Sequence, residues 1–271
     1  MRRSSNEDAF LLLDLDAPQR PIACQGERID VGGRRMLLAV SDGMGGAAAG
    51  EVASSLALST LARSLQEHGD RPIERQLEAA VLAANARVLE AAKRDGREGM
   101  GATLTAVVVA NNTAWIAEVG DSRAYLLRGG RLRQLTRDQS YVQMLVDIGA
   151  MDESTARQSS QRNVILQAVG TQPSLEVALG RLELRRGDRL LLCSDGLSNE
   201  LADDELATLL SSQAPSVACE AAIARANDHG GRDNVTVIVA VVDGDGVPLS
   251  PPNETITGTH RVIQDYTGAG R

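Results

Sequence analysis

The sequence predicts an α+β fold in which antiparallel sheets carry helices on their outer faces. Apolar runs of strand length are joined mostly by hairpin signals, helical stretches arrive in consecutive pairs, and the strand-helix-strand alternation of a doubly wound parallel sheet is missing.

Residues 9–15 form an apolar strand directly behind Glu7 and Asp8, and the polar stretch through Gly32-Gly33 leads as a hairpin loop into a second strand at 36–40. Helices are expected at 50–66 and 73–93. In the second, Ile73, Leu77, Val81, Ala84 and Val88 recur at the helical period, and Gly96 stops it. Strands at 103–110, 113–119, 123–128 and 131–136 read as one antiparallel meander, turned at Asn111-Asn112 and Gly129-Gly130. The stretches 141–149 and 153–161 read as short polar helices lacking a strong apolar face, a mobile cap. Strands return at 163–169, 176–184 and 189–194, helices at 204–212 and 216–227, and a last strand at 234–242. From Gly244 onward Gly, Pro, Thr and Ser dominate with little to bury, which gives a domain at 1–243 and a flexible tail at 244–271.

With 43% hydrophobic residues in 271, the chain can bury a sizeable core. Its 28 basic and 36 acidic side chains give a net charge of -8, without a Lys/Arg block and with 2% aromatics, which argues against nucleic-acid binding and favours a cationic ligand. No apolar run approaches the roughly 20 residues of a membrane span, and the N-terminus has no signal-peptide apolar core, so the expected location is cytoplasmic. Cys24, Cys193 and Cys219 are odd in number, widely spaced and set in apolar surroundings, as expected of reduced thiols.

The chemistry gathers where strands end. Asp42, Asp121 and Asp195 stand where apolar runs stop, each beside a glycine, while Glu7, Asp8 and Asp233 stand where strands begin. In antiparallel neighbours the end of one strand lies beside the start of the next, so six carboxylates can share one edge. Such crowding is repulsive unless cations neutralise it. Without Cys or clustered His beside them, the donors suit Mg²⁺ or Mn²⁺.

The ordered motifs Arg3-x-x-Asn6-Glu7-Asp8, Ser41-Asp42-Gly43-Met44-Gly45-Gly46, Gly50-Glu51-x-Ala53-Ser54, Gly101-Ala102-Thr103, Gly120-Asp121-Ser122-Arg123, Ser194-Asp195-Gly196-Leu197 and Asp233-Asn234-Val235-Thr236 span residues 2–242. Together they resemble the metal-dependent protein phosphatase family (type 2C) in its bacterial form. The resemblance implies a four-layer αββα sandwich, two central antiparallel β-sheets flanked by pairs of helices, around a site for two Mn²⁺ or Mg²⁺ ions. By motif, Asp42 bridges both ions, the Gly43 carbonyl holds one, Asp195 and Asp233 hold the other, and Glu7 and Asp8 act through waters or behind the ligands. Asp121 with Asp195 matches the ligand pair of a third, weaker metal. Arg3 matches the arginine that receives the substrate phosphate, and residues 139–161 match the flap beside the active site. The implied activity is hydrolysis of phosphoserine and phosphothreonine by metal-activated water, against a Ser/Thr protein kinase. The expected partners are phosphoproteins and that kinase, with no nucleic acid or membrane, and the chain is expected to be a monomer. The alternatives are a non-catalytic metal-binding module, or an enzyme dedicated to a single regulatory phosphoprotein.

Three departures accompany the resemblance. Only Met1 and Arg2 precede Arg3, where family members carry a strand, so a weakly anchored Arg3 is expected. Met44 stands where eukaryotic relatives have a histidine proposed as general acid, and Gln139 replaces the histidine common at the start of bacterial flaps. Other motif matches fail on context. Gly43-x-Gly45-x-x-Ala48 lacks the following parallel strand of a dinucleotide fold, Glu51 occupies the lysine position of a P-loop, and Cys219-x₅-Arg225 lies in a run of helix formers without an anion cradle.

Overall fold

The computed structural model describes residues 5–18, 29, 31–93, 97–251, 254, 256 and 259–261. Strands β1 (Asp8–Asp14) and β2 (Met36–Met44) are followed by helices α1 (Ala47–Glu67) and α2 (Ile73–Ala92). Then come β3 (Gly101–Ala102), β4 (Leu104–Ala110), β5 (Thr113–Val119), β6 (Arg123–Arg128) and β7 (Arg131–Gln134), and the short helices α3 (Tyr141–Asp147) and α4 (Glu153–Gln158). The chain continues through β8 (Ala178–Glu183), β9 (Arg189–Cys193), α5 (Asp195–Ser198), α6 (Asp203–Ser212), α7 (Pro215–Asp228), β10 (Val237–Val241) and β11 (Thr259–Arg261).

Two antiparallel sheets result. One runs β1-β2-β4-β5-β8-β11, with β3 attached to β2; the other runs β10-β9-β6-β7. The continuous apolar runs have a simple cause: their strands are covered on both faces. Along β2, Leu37 and Ala39 pack against α1 and α2, whereas Leu38 and Val40 pack between the sheets with Leu126, Leu190, Leu192 and Ile238. On the far side Tyr125, Leu127 and Leu191 meet Leu206 and Leu210 of α6 and Ala218, Ala222 and Ala226 of α7. Helices, sheet, sheet and helices therefore stack as four layers, in agreement with the expected α+β sandwich. No described helix is long and apolar enough to cross a membrane.

Both expected hairpins close on two residues with positive φ, Asn111 (47°) with Asn112 (59°) and Gly129 (56°) with Gly130 (76°). That backbone matches the twist of the flanking strands. The single meander expected over 103–136 is corrected: β4 pairs with β5 and β6 with β7, but β5 and β6 belong to different sheets. The chain changes sheet at Gly120-Asp121-Ser122, because alternate residues of β5 and β6 find apolar partners in different layers. The strand expected at 163–169 is also absent. Only isolated pairings of Ile165 with Ser140 and of Val169 with Ala102 occur there, and the apolar Val164 and Leu166 point outward.

Beyond residue 243 several described positions pack on the sandwich. Glu254 pairs with Arg128 and Arg185, Ile256 is buried between the sheets, and β11 adds to β8. A segment poor in apolar residues is held here by ions and one anchor, signals that composition does not carry. Cys193 lies in the core under α6 and α7, where burial pushes its thiol up to about 12; Cys219 is half-buried on α7, and Cys24 falls outside the described residues.

Leu192 is fully buried between the sheets, whereas Leu249 is 70% exposed. Leu192→Ala should lower unfolding free energy by about 2–5 kcal/mol. Leu249→Ala should change it by less than about 0.5 kcal/mol, both read from urea denaturation.

Candidate metal centre

The pairing of β1 with β2 places Asp8 directly across from Asp42. Asp42 is not the last residue of its strand, since β2 continues to Met44 and Gly43 pairs with Ala102 of β3. Its main chain is held on both sides by Thr103: the Asp42 N–H donates to Thr103 Oγ1 at 2.9 Å, and Thr103 N–H donates to the Asp42 carbonyl at 2.8 Å. Thr103 Oγ1 also shares a hydrogen bond of 2.7 Å with Ser122 Oγ, and Ser41 Oγ donates to the Thr103 carbonyl at 2.6 Å. A buried hydroxyl pair thus joins the Asp42 strand to the residue that follows Asp121.

The opposite side is built from the second sheet. Asp195 opens α5 immediately after β9, and its Oδ2 accepts from Asn199 Nδ2 at 3.0 Å one turn later. Ser194 Oγ donates to Asp8 Oδ2 at 2.7 Å and accepts from Thr236 N–H at 3.0 Å, which ties the first strand to the second sheet. Asn234 fastens the N-terminal segment further, accepting from Glu7 N–H at 3.0 Å and donating to the Ser5 carbonyl at 3.0 Å. The Glu7 carbonyl in turn accepts from Ser54 Oγ at 2.7 Å and from Gly43 N–H at 3.1 Å. Glycine is required at 43, because a Cβ there would stand 2.1 Å from the Gly50 carbonyl oxygen.

The electrostatics express the crowding. Burial, followed by the charges of Asp8, Asp195 and Asp121, pushes the Asp42 carboxyl up to about 11. Burial also raises Asp8, with the Asp233 charge adding to it and hydrogen bonds from Ser194 and Thr236 opposing. Asp121 is raised well above its ordinary value by burial and then by Asp195 and Asp138, against the pull of Arg123. Five of the carboxylates read from the sequence, at positions 8, 42, 121, 195 and 233, therefore act on one another across the ends of the two sheets.

Glu7 differs in placement. It is buried, with its carboxylate against Gly50 in the first turn of α1, where the helix dipole favours negative charge. Arg3 lies outside the described residues. Glu118, which reads from sequence as one polar position inside an apolar strand, is fully buried three residues before Asp121. Burial raises its carboxyl, and its Oε2 accepts from Arg137 N–H at 2.9 Å. Thr103, Ser122, Ser194 and Asn234 are visible in the sequence only as motif neighbours, and the hydrogen bonds give them their work.

Among the described residues no three or more His, Cys, Asp or Glu stand close enough together to hold a metal ion as they are. What favours a cation is the donor chemistry. The donors are oxygens only, their charges repel at close quarters, and Asp8 Oδ1 is buried without a hydrogen-bond partner. A hard divalent ion relieves all three conditions.

The same charges predict a pH dependence. A carboxyl raised in the folded state keeps a proton that the unfolded chain releases above its ordinary 3.8, so its contribution to the metal-free fold is fully present below that value and is lost as pH rises towards about 11. Thermal unfolding in EDTA should show a falling midpoint between about pH 5 and pH 9. Asp42→Asn should flatten that slope, and Mn²⁺ should reverse it by binding the deprotonated acids.

Comparison with known proteins places these residues in context. The family model described as protein phosphatase 2C matches residues 23–227. The serine/threonine protein phosphatase PstP of Mycobacterium tuberculosis is 45% identical over 213 residues, 77% of this chain and 41% of that protein, so the chain spans about two fifths of that relative's length. The serine/threonine phosphatase stp of Listeria monocytogenes is 37% identical over 213 residues, 76% of this chain and 84% of that protein. The crystal structure of the catalytic domain of PstP in complex with two manganese ions superposes with a TM-score of 0.73 at 38% identity, covering 90% of this chain and 94% of that one. A family model matching most of the chain, together with a sandwich whose strand ends converge on shared carboxylates, assigns the chain to the protein phosphatase 2C family.

Proposed function

We propose that this chain is a metal-dependent protein serine/threonine phosphatase, hydrolysing phosphoserine and phosphothreonine at a centre of two Mn²⁺ or Mg²⁺ ions. The observation that carries it is the set of mutually raised carboxylates around Asp42, built from both sheets and supplied with oxygen donors alone. PstP, bound to two manganese ions in its crystal structure, supports the choice of cofactor.

In this assignment Asp42 and the Gly43 carbonyl hold the ions from the first sheet, and Asp195 and Asp233 from the second. Asp8 and Glu7 contribute through waters or by supporting the ligands, and Asp121 with Asp195 offers a third, weaker position. Divalent ions bound there would acidify a water and screen the phosphoryl oxygens, so no protein nucleophile is needed. The remaining work belongs to the chain. Thr103 fixes the main chain of Asp42, Ser194 orients Asp8, and Asn199 orients Asp195. Arg3, with its planar fork of donors, is assigned to the substrate phosphate. The natural setting is cytoplasmic, as a monomer opposing a Ser/Thr kinase on shared phosphoproteins.

Phosphate release from a phosphothreonine peptide should require Mn²⁺, stop in EDTA, and fall at least about 100-fold in Asp42→Asn and Asp195→Asn. Binding of Mn²⁺ without any release would instead make the chain a metal-binding module or an enzyme dedicated to one phosphoprotein. Thr103→Val, which removes the hydroxyl bonded to Asp42 N–H, should cost about 10-fold in kcat while leaving the fold intact by circular dichroism.

A further inference from the structure

The turn that carries Asp121 is stitched along its length to residues 135–139. Leu135 N–H donates to the Ala124 carbonyl at 2.7 Å, Ala124 N–H to Thr136 Oγ1 at 3.1 Å, and Arg137 N–H to Glu118 Oε2 at 2.9 Å. Arg123 grips Asp138 with two bonds, at 2.8 and 2.6 Å. Closest to the site, Gly120 gives its N–H to Gln139 Oε1 at 2.9 Å and takes the Gln139 N–H on its carbonyl at 2.8 Å. One residue therefore satisfies both main-chain groups of the glycine that precedes Asp121. Gly120 needs such a hold, since its φ of 102° lies in the left-handed region and it has no side chain to anchor it.

Gln139 is also where the segment bearing α3 and α4 begins and ends. Its carbonyl accepts from Leu166 N–H at 2.7 Å, and Ser140 pairs with Ile165 beside it. Farther along, Asn163 Oδ1 accepts from Asn199 Nδ2 at 3.4 Å, and that same amide reaches Asp195 Oδ2 at 3.0 Å. The segment thus touches the centre at two places, through Gln139 to Asp121 and through Asn163 to Asp195.

We infer that Gln139 is a positioning residue that makes the orientation of Asp121 depend on how the 140–166 segment is seated. With both peptide groups of Gly120 bonded to one side chain and its own backbone, a displacement of the segment's closed base turns the Asp121 main chain with it. A polypeptide substrate that pushes on the exposed Met144, Ile148, Val164 and Leu166 then acts on the centre without touching a carboxylate. The catalytic consequence rests on the phosphatase assignment, whereas the linkage from Gln139 to Gly120 does not.

The test uses the full chain and four variants. Gln139→Leu and Gln139→Asn remove or withdraw the acceptor facing Gly120, and Gln139→His retains an acceptor nitrogen. Ser140→Ala loosens α3 by removing the hydroxyl that accepts Gln143 N–H, without touching Gly120. Amide hydrogen exchange at Gly120, Mn²⁺ titration by calorimetry, and kcat and KM for a phosphothreonine peptide are measured for each. In Gln139→Leu and Gln139→Asn, Gly120 exchange should speed about 10-fold, half-saturating Mn²⁺ should rise several-fold, and kcat should fall about 10-fold with KM nearly unchanged. Gln139→His should recover most of each, and Ser140→Ala, which loosens the segment while the Gln139 side chain is kept, should shift them in the same direction but less. Unchanged Gly120 exchange in Gln139→Leu and Gln139→Asn overturns the inference, and so does Ser140→Ala leaving every readout at its wild-type value. If the wild type releases no phosphate, the phosphatase assignment fails while exchange and Mn²⁺ titration still decide the linkage.

Discussion

Repulsion among buried carboxylates is the constraint on which the rest of this structure depends. Asp42 sits between Asp8, Asp121 and Asp195, and burial strengthens every one of those contacts because little water remains to screen them. Left alone, such a cluster would relax by taking up protons or by turning side chains outward. The scaffold prevents the second course. Neighbouring strands fix Asp8 opposite Asp42, and hydroxyls on Thr103, Ser122 and Ser194 hold the main chain and the carboxylates in place. A fold that resists outward rotation but permits the exchange of a proton for a metal ion is matched to a metal-dependent reaction.

The two-sheet sandwich serves that constraint directly. A single sheet can bring two adjacent strand ends together, but five interacting carboxylates need strand ends from two sheets facing each other. The apolar layer of Leu38, Val40, Leu126, Leu190 and Leu192 keeps the sheets in register behind the site. The polar crossings at its edge, from Ser194 to Asp8 and from Asn234 to Glu7 and Ser5, keep them in register at the site itself. Stability and chemistry are therefore separated by depth, with dispersion holding the interior and hydrogen bonds holding the rim.

Much of this was legible in the sequence, for reasons that differ by element. The Asn111-Asn112 and Gly129-Gly130 turns declare themselves because few residues accept a positive φ, and α2 does so by its period. The acidic positions were legible because an Asp that ends an apolar run beside glycine has few structural uses. Sheet membership was not legible. Strands β5 and β6 are both apolar on alternating faces, and no local signal says that the chain leaves one sheet for the other at Gly120. The false strand at 163–169 has the same origin, because Val164, Ile165 and Leu166 fit a strand pattern but serve an outward-facing segment beside the site. Glu254 and Ile256 were hidden by the composition around them; ion pairs of Glu254 with Arg128 and Arg185 and the burial of Ile256 give that stretch a fixed place.

The approach to β1 shows how much anchoring a few polar groups supply. Residues 5–7 precede β1 and take no place in its sheet. The structure supplies anchorage from the other direction: Asn234 bonds Ser5 and Glu7, Ser54 bonds Glu7, and β1 begins at Asp8 in full register with β2. Ser5 is thereby a fixed point. Hydrogen bonds from the second sheet thus hold the residues just ahead of β1, and with them the register that keeps Asp8 opposite Asp42.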